Sequence, residues 1–287
     1  MTTALVLSGG GSLGAVQAGM LLALADGGIV PDLLVGTSVG ALNAAYVAGQ
    51  PWPEGPRRLV EIWSHVRRSD VFPTSLVSTA RALAGRSDHL VSDRRLRELI
   101  GKHLTYERLE QASLPVAVVA TEVMTGMEVV LRQGDAVDAV LASACLPGVF
   151  TPTSVDGHLL IDGGLVDNTP ISVAADLGAD SIIVLPTGYA CALPAPPKSA
   201  LGVVLHAVTL AIQRRLVDDV IALQGSLDLR VVPPLCPLAV SPIDFGRGSE
   251  LADRAYRTTA RWLREPRKSD QSTDLRLHVH DAVPAHP

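Results

Sequence analysis

Aromatic residues are scarce in this 287-residue chain, at 3% of the sequence. Its core must therefore be built from Ala, Leu and Val, and a docking belt of Trp and Tyr at a membrane surface is not expected. Cysteine is sparse too. Cys145, Cys191 and Cys236 lie far apart with no C-x-x-C pair, so neither a zinc site nor a disulfide framework is indicated. Basic charge is not in excess. The formal net charge is −5, which leaves no electrostatic footprint for nucleic acid. Long apolar runs are missing as well: 114–120 is typical of the longest, well short of a membrane span. The first residues enter a strand pattern without a basic n-region or an apolar h-region. A cytoplasmic protein is therefore expected, with any membrane contact peripheral.

A hydrophobic fraction of 47% against 18% charged residues marks a globular chain. No linker or repeat divides it, so one domain is expected over 1–264. A polar, proline-bearing tail, expected to be poorly ordered, follows over 265–287.

The chain is organised around Gly36-Thr37-Ser38-Val39-Gly40. A strand-like run stops at Gly36, and a helical run of small residues starts after Gly40. G-x-S-x-G between a strand and a helix is the pattern of a nucleophile elbow. A serine on so tight a turn leaves no room for side chains two positions either way, and Gly36 and Gly40 have none. The pattern also arises by chance, so partners must come from elsewhere in the chain.

One candidate lies in the preceding strand-to-helix turn, Gly9-Gly10-Gly11-Ser12-Leu13-Gly14. Gly9, Gly11 and Gly14 satisfy the dinucleotide fingerprint G-x-G-x-x-G. That fingerprint wants an acidic residue at the end of the next strand, whereas Asp32 begins that strand and the elbow ends it. The competing reading is an oxyanion hole. Consecutive glycines at Gly9, Gly10 and Gly11 let backbone N–H groups turn towards a developing negative charge. Gly14 also suits close helix packing. Both turns would sit at the C-terminal ends of adjacent parallel strands, where open α/β sheets place their sites.

These two motifs, followed by Asp162-Gly163-Gly164, resemble those of the patatin-like phospholipases of bacterial type, over roughly residues 4–190. The resemblance implies a three-layer α/β/α fold with a mainly parallel sheet, related to the α/β hydrolases. It also implies a serine–aspartate dyad, Ser38 and Asp162, without a catalytic histidine. The implied function is lipid ester hydrolysis in lipid metabolism, on a phospholipid or other lipid ester, with no cofactor and no metal. Leu13 departs from the pattern, since many relatives carry arginine there. A regulatory or lipid-binding protein on the same fold is the alternative. An aspartate ordinarily titrates near ~3.9, so Asp162 must be tuned by burial to serve as a base. Gly163 and Gly164 would leave space around it.

Further strands are expected at 4–8, 115–123 and 181–185. Hairpins are expected around Thr125-Gly126 and Asp156-Gly157, and an edge strand at 230–232. Helices are expected at 15–24, 41–49, 54–66, 92–104 (with Ser92 as N-cap), 135–143, 171–177, 201–223 and 248–263. Residues 67–89, with Arg67, Arg68, Arg81 and Arg86 among apolar groups, read as a connecting helix or as a lid facing anionic lipid. Ser143 is either a polar site residue or a helix-end hydrogen bonder, and 142–152 resembles another block of the same family, which implies a proline-bounded turn that shapes the site. Asp167 and Asn168 suit a cap for a helix opened by Pro170. No histidine is placed at a strand end, where a serine–histidine triad would need one.

Overall fold

A computed structural model describes residues 1–72, 91–188, 200–223, 225–236, 238 and 240–265. The stretch 73–90, the loop over Cys191–Lys198 and the tail beyond Glu265 lie outside the described residues. Of the 67–89 stretch only a short helix, Arg68–Val71, is described.

The elements in chain order are strand β1 (Thr3–Leu7), helix α1 (Gly14–Asp26), β2 (Leu33–Thr37), α2 (Val39–Ala48), α3 (Glu54–His65), α4 (Arg68–Val71) and α5 (Arg94–His103). The hairpin strands β3 (Val116–Glu122) and β4 (Glu128–Leu131) come next, then α6 (Ala136–Ala144), β5 (Thr153–Val155) and β6 (His158–Asp162). The chain continues with α7 (Ile171–Asp176), β7 (Ser181–Leu185), α8 (Ala200–Leu223), β8 (Asp228–Val231) and α9 (Gly248–Arg264).

The sheet order is β5-β6-β3-β2-β1-β7-β8, with β4 paired to β3 off this path. The strands β3, β2, β1, β7 and β8 run parallel; β4, β5 and β6 are added antiparallel. Period-two alternation sends the strand side chains to two separate cores. Leu5, Leu7, Leu34, Val118 and Ala120 join α1, α2, α3, α6 and α9 on one face. Ala4, Val6, Val35, Ala117 and Val119 join α7 and α8 on the other. This is the three-layer α/β/α architecture with a mainly parallel sheet that the sequence led us to expect. Among the described residues no helix is long and apolar enough to cross a membrane.

Two capping expectations are corrected. Asp93, not Ser92, is the N-cap of α5; the Ser92 hydroxyl accepts from Arg94 N–H at 3.4 Å. Pro170 itself is the N-cap of α7, and Asp167 and Asn168 stand before the helix; the Asp167 carboxylate accepts the Thr169 N–H at 3.1 Å and the Ser172 hydroxyl at 3.5 Å in place of a cap bond.

Candidate active site

β1 and β2 are adjacent and parallel in the middle of the sheet, so the glycine-rich turn and the elbow emerge side by side at its C-terminal end. At the elbow, Ser38 takes φ 54° and ψ −123°, a conformation costly for a residue with a side chain. The neighbouring glycines are dictated by contact. A Cβ on Gly40 would sit 2.1 Å from the Leu7 carbonyl oxygen, and one on Gly36 2.4 Å from that of Gly40. The turn is pinned by Ser143 of α6, whose hydroxyl accepts the Ser38 N–H at 2.9 Å and donates to the Val119 carbonyl. Ser143 is thus a hydrogen bonder at the end of α6, and its partners are the elbow and β3.

Asp162 arrives from the other side of β3. β6 runs antiparallel to β3 with Asp162 opposite Ala120, while Thr37 lies opposite Val119. This register brings the two side chains to the same level: Ser38 Oγ donates to Asp162 Oδ2 at 2.7 Å, and Gly164 N–H donates to Oδ1 at 2.8 Å. The turn after α6 adds a backbone tie, Asp162 N–H to the Cys145 carbonyl at 2.9 Å. Gly163 packs flat on β3, where a Cβ would come 2.2 Å from the Val119 oxygen. Ser38 is 9% exposed and Asp162 only 4%. Burial pushes the Asp162 carboxyl up from 3.8 to about 6, against the lowering effect of its bonds from Ser38 and Gly164.

The three glycines of the first turn divide in use. Gly9 N–H is committed to the Asn168 carbonyl at 3.0 Å, so Gly9 holds the loop in place and its N–H is not turned to the cavity. Its expected place among the oxyanion donors is corrected accordingly. The N–H groups of Gly10 and Gly11 meet no acceptor among the described residues, and both glycines line the cavity beside Ser38. Gly14 begins α1 against Val39 and Trp63, where a Cβ would fall 2.3 Å and 2.6 Å from their atoms. Leu13 points into the core. The loop is anchored beside it by Ser12, whose N–H donates to the Pro242 carbonyl at 2.8 Å and whose hydroxyl donates to that of Ser241 at 3.1 Å.

Several supports were not legible in the sequence. Thr187 donates its hydroxyl to the Gly9 carbonyl at 2.6 Å and its N–H to Ser8 Oγ at 2.9 Å. Gln17 is fully buried in α1; its amide donates to the Ser8 and Leu185 carbonyls and its oxygen accepts from Asn43. Asn43 also donates to the Gly14 carbonyl and accepts from Trp63 Nε1. The signal that could have found Gln17 and Asn43 is their position as lone amides on helices otherwise made of small apolar residues. Asp167 and Asn168, expected as caps, tie the loop after Asp162 to both other motifs. The Asp167 carbonyl accepts from Thr37 Oγ1 at 2.8 Å, as Asn168 does from Gly9. The Asp167 carboxyl is buried, with Arg215 3.9 Å away, and is pushed up to about 7, first by burial and then by Asp219 and Glu128. Among the described residues no histidine hydrogen-bonds to Ser38 or Asp162.

Ser38, Asp162, Gly10, Gly11 and Gly164 open onto one cavity of about 330 Å³ whose walls are almost wholly aliphatic and aromatic. A serine hydroxyl, a buried carboxyl group and two backbone N–H groups without an acceptor among the described residues therefore share an apolar space, an arrangement suited to acyl transfer from a hydrophobic ester.

Comparison with known proteins gives a consistent result. The family model for the patatin-like phospholipases matches residues 5–175. Patatin-like phospholipase domain-containing protein 7 of Rattus norvegicus is 33% identical over 187 residues, covering 64% of this chain but 13% of that protein. An uncharacterized NTE family protein of Mycobacterium tuberculosis is 29% identical over 187 residues, covering 63% of this chain and 48% of that one. The chain thus corresponds to under half the length of these relatives. The crystal structure of VipD from Legionella pneumophila aligns with a TM-score of 0.47 and 14% identity, over 91% of this chain and 66% of that one.

Proposed function

The chain belongs to the patatin-like phospholipase family, and we propose that it is a lipid acyl hydrolase that works through Ser38 and Asp162. The observation that carries this reading is the 2.7 Å hydrogen bond from Ser38 Oγ to a buried carboxylate at the mouth of an apolar cavity. Ser38 Oγ attacks the ester carbonyl as Asp162 takes its proton. The N–H groups of Gly10 and Gly11 receive the negative charge that develops on the carbonyl oxygen. Asp162 then returns the proton to the leaving alcohol. Water, deprotonated by the same carboxylate, releases the acyl group from Ser38. A carboxylate held at about 6 is a usable base at neutral pH, where one at 3.8 is a poor one.

The physiological substrate in this reading is a phospholipid or another lipid ester, met at the surface of a membrane or micelle. The test is hydrolysis of a short-chain ester and of a phospholipid by the wild type, Ser38→Ala and Asp162→Asn, with folding of each checked by circular dichroism. Both variants should lose at least about a thousandfold in kcat. Activity surviving Ser38→Ala would refute the assignment of the nucleophile. A folded wild type inert on both substrates would favour a lipid-binding or regulatory role on the same fold.

A further inference from the structure

The cavity has a direction. On α2 it is lined by Val39, Leu42, Asn43 and Tyr46, spaced as i, i+3, i+4 and i+7, which is one stripe of a helix. α3 contributes Leu59, Ile62 and Trp63, and its C-cap Val66 continues the same spacing. α5 contributes Leu96, Leu99, Ile100 and His103, again at that spacing. Three helices therefore each turn one stripe towards a common groove.

Packing fixes how the stripes of α2 and α3 run against one another. Gly55, early in α3, lies against Gln50 just beyond the end of α2, 2.8 Å from a Cβ placed on the glycine. Trp63, late in α3, donates to Asn43 in the first half of α2 at 2.9 Å. The two helices are thus antiparallel. Ser38, the N-cap of α2, stands at the open end, where the lining residues Leu165 and Ile243 are exposed. Tyr46 marks the far end, with its ring edge-on to His103 at 6.3 Å. Behind Tyr46 the groove is shut. The Tyr106 hydroxyl donates to the Ala45 carbonyl at 2.7 Å, and the Tyr106 ring fills the next position of the stripe, 2.6 Å from a Cβ placed on Gly49.

We propose that this groove holds the acyl chain of the substrate and that Tyr46 is its floor, a residue that sets chain length and selects medium-chain acyl groups. The assignment rests on the hydrolase reading above. Eight residues of helix separate Ser38 from Tyr46, about 12 Å at 1.5 Å per residue, which matches an extended chain of about ten carbons. Each methylene that enters the groove leaves water, and it should raise kcat/KM by about fourfold. Methylenes beyond the floor gain no such contact and press against a packed ring.

The experiment measures kcat/KM on a series of straight-chain esters from butanoyl to hexadecanoyl, for the wild type, Tyr46→Ala and Leu42→Phe. The wild-type profile should climb to decanoyl and then flatten or fall. Tyr46→Ala should raise the hexadecanoyl-to-decanoyl ratio by about tenfold. Leu42→Phe, which obstructs the groove midway, should lower the decanoyl-to-butanoyl ratio. In parallel, displacement of a fluorescent fatty acid from Ser38→Ala, with and without Tyr46→Ala, reads the groove without turnover; decanoate should compete better than hexadecanoate only while Tyr46 is present. Hydrolysis with no break in the profile, and fatty-acid binding indifferent to Tyr46→Ala, would overturn the groove assignment and leave the hydrolase standing. Tyr46-dependent decanoate binding in a protein that hydrolyses none of the esters would do the reverse. Absence of both would remove both.

Discussion

Asp162→Asn should make the protein more stable at the pH where it makes it inactive. Asp162 is 4% exposed, and its carboxyl is held at about 6 in the folded state against 3.8 for an unburied aspartate. A raised carboxylate pKa means that the folded state binds the proton more tightly than the unfolded state does. The stability linked to that proton is fully present below 3.8 and is lost as the pH rises through about 6. The shift is about two units, so at roughly 1.4 kcal/mol per unit the ionised group costs the folded protein about 3 kcal/mol at neutral and alkaline pH. Asparagine resembles the protonated acid. Its oxygen can still accept the Gly164 N–H and its amide can donate to Ser38 Oγ, so neither local contact is orphaned. Urea melts of wild type and variant at about pH 8 should therefore favour the variant by about 2–3 kcal/mol. The difference should close as the pH is lowered through 6 towards 3.8. The raised Asp167 carboxyl is common to both proteins and cancels in the difference. A variant no more stable than wild type at about pH 8, or a difference that does not change with pH, would refute the reasoning.

Other expectations follow from the same geometry. If Asp162 must be ionised to accept the serine proton, the acid limb of kcat/KM should rise through about 6 and disappear from any residual activity of Asp162→Asn. Ser143→Ala strands the buried Ser38 N–H and Val119 carbonyl; it should cost about 1–3 kcal/mol in a urea melt and lower kcat more than it raises KM, whereas an unchanged kcat would show that the elbow holds itself. Gly40→Ala places a Cβ 2.1 Å from the Leu7 oxygen and should yield little folded protein on expression; a soluble, cooperatively melting variant would show that β1 and the elbow can separate. Gln17→Leu leaves the Ser8 and Leu185 carbonyls without their donor and should lower the melting temperature by several degrees, read by differential scanning calorimetry.

What the sequence disclosed and what it hid differ in physical kind. Short apolar runs such as 33–35 and 181–185 announce buried parallel strands, and the glycines at 36 and 40 announce an elbow, because those constraints act within a few residues. The same locality was half right at Asp167, whose carboxylate meets Thr169 and Ser172 at the start of the helix, and silent on the backbone of Asp167 and Asn168. Capping preference describes their neighbours in the chain, while their carbonyls are drawn to Thr37 and Gly9, far away in sequence. Gln17 was silent for the same reason, since its acceptor Leu185 stands 168 residues on. The groove was half legible. The stripes at 59, 62, 63 and 66 and at 96, 99 and 100 read as ordinary inward faces, and periodicity cannot tell a face that meets another side chain from one that borders open space.

The position of β1 in the sheet bears on how the molecule is made. β1 leaves the ribosome before either of its neighbours, yet it lies between β2 and β7, so one of its edges stays unpaired until residue 185 has been synthesised. Ser38 likewise waits for Asp162, which follows 124 residues later. At 5–20 residues per second the nascent chain therefore carries an apolar strand with a bare edge for on the order of ten seconds or more. That interval is an opening for chaperone capture, and for pairing with another nascent chain. Any ester-hydrolysing activity of the product would report that the interval had closed correctly.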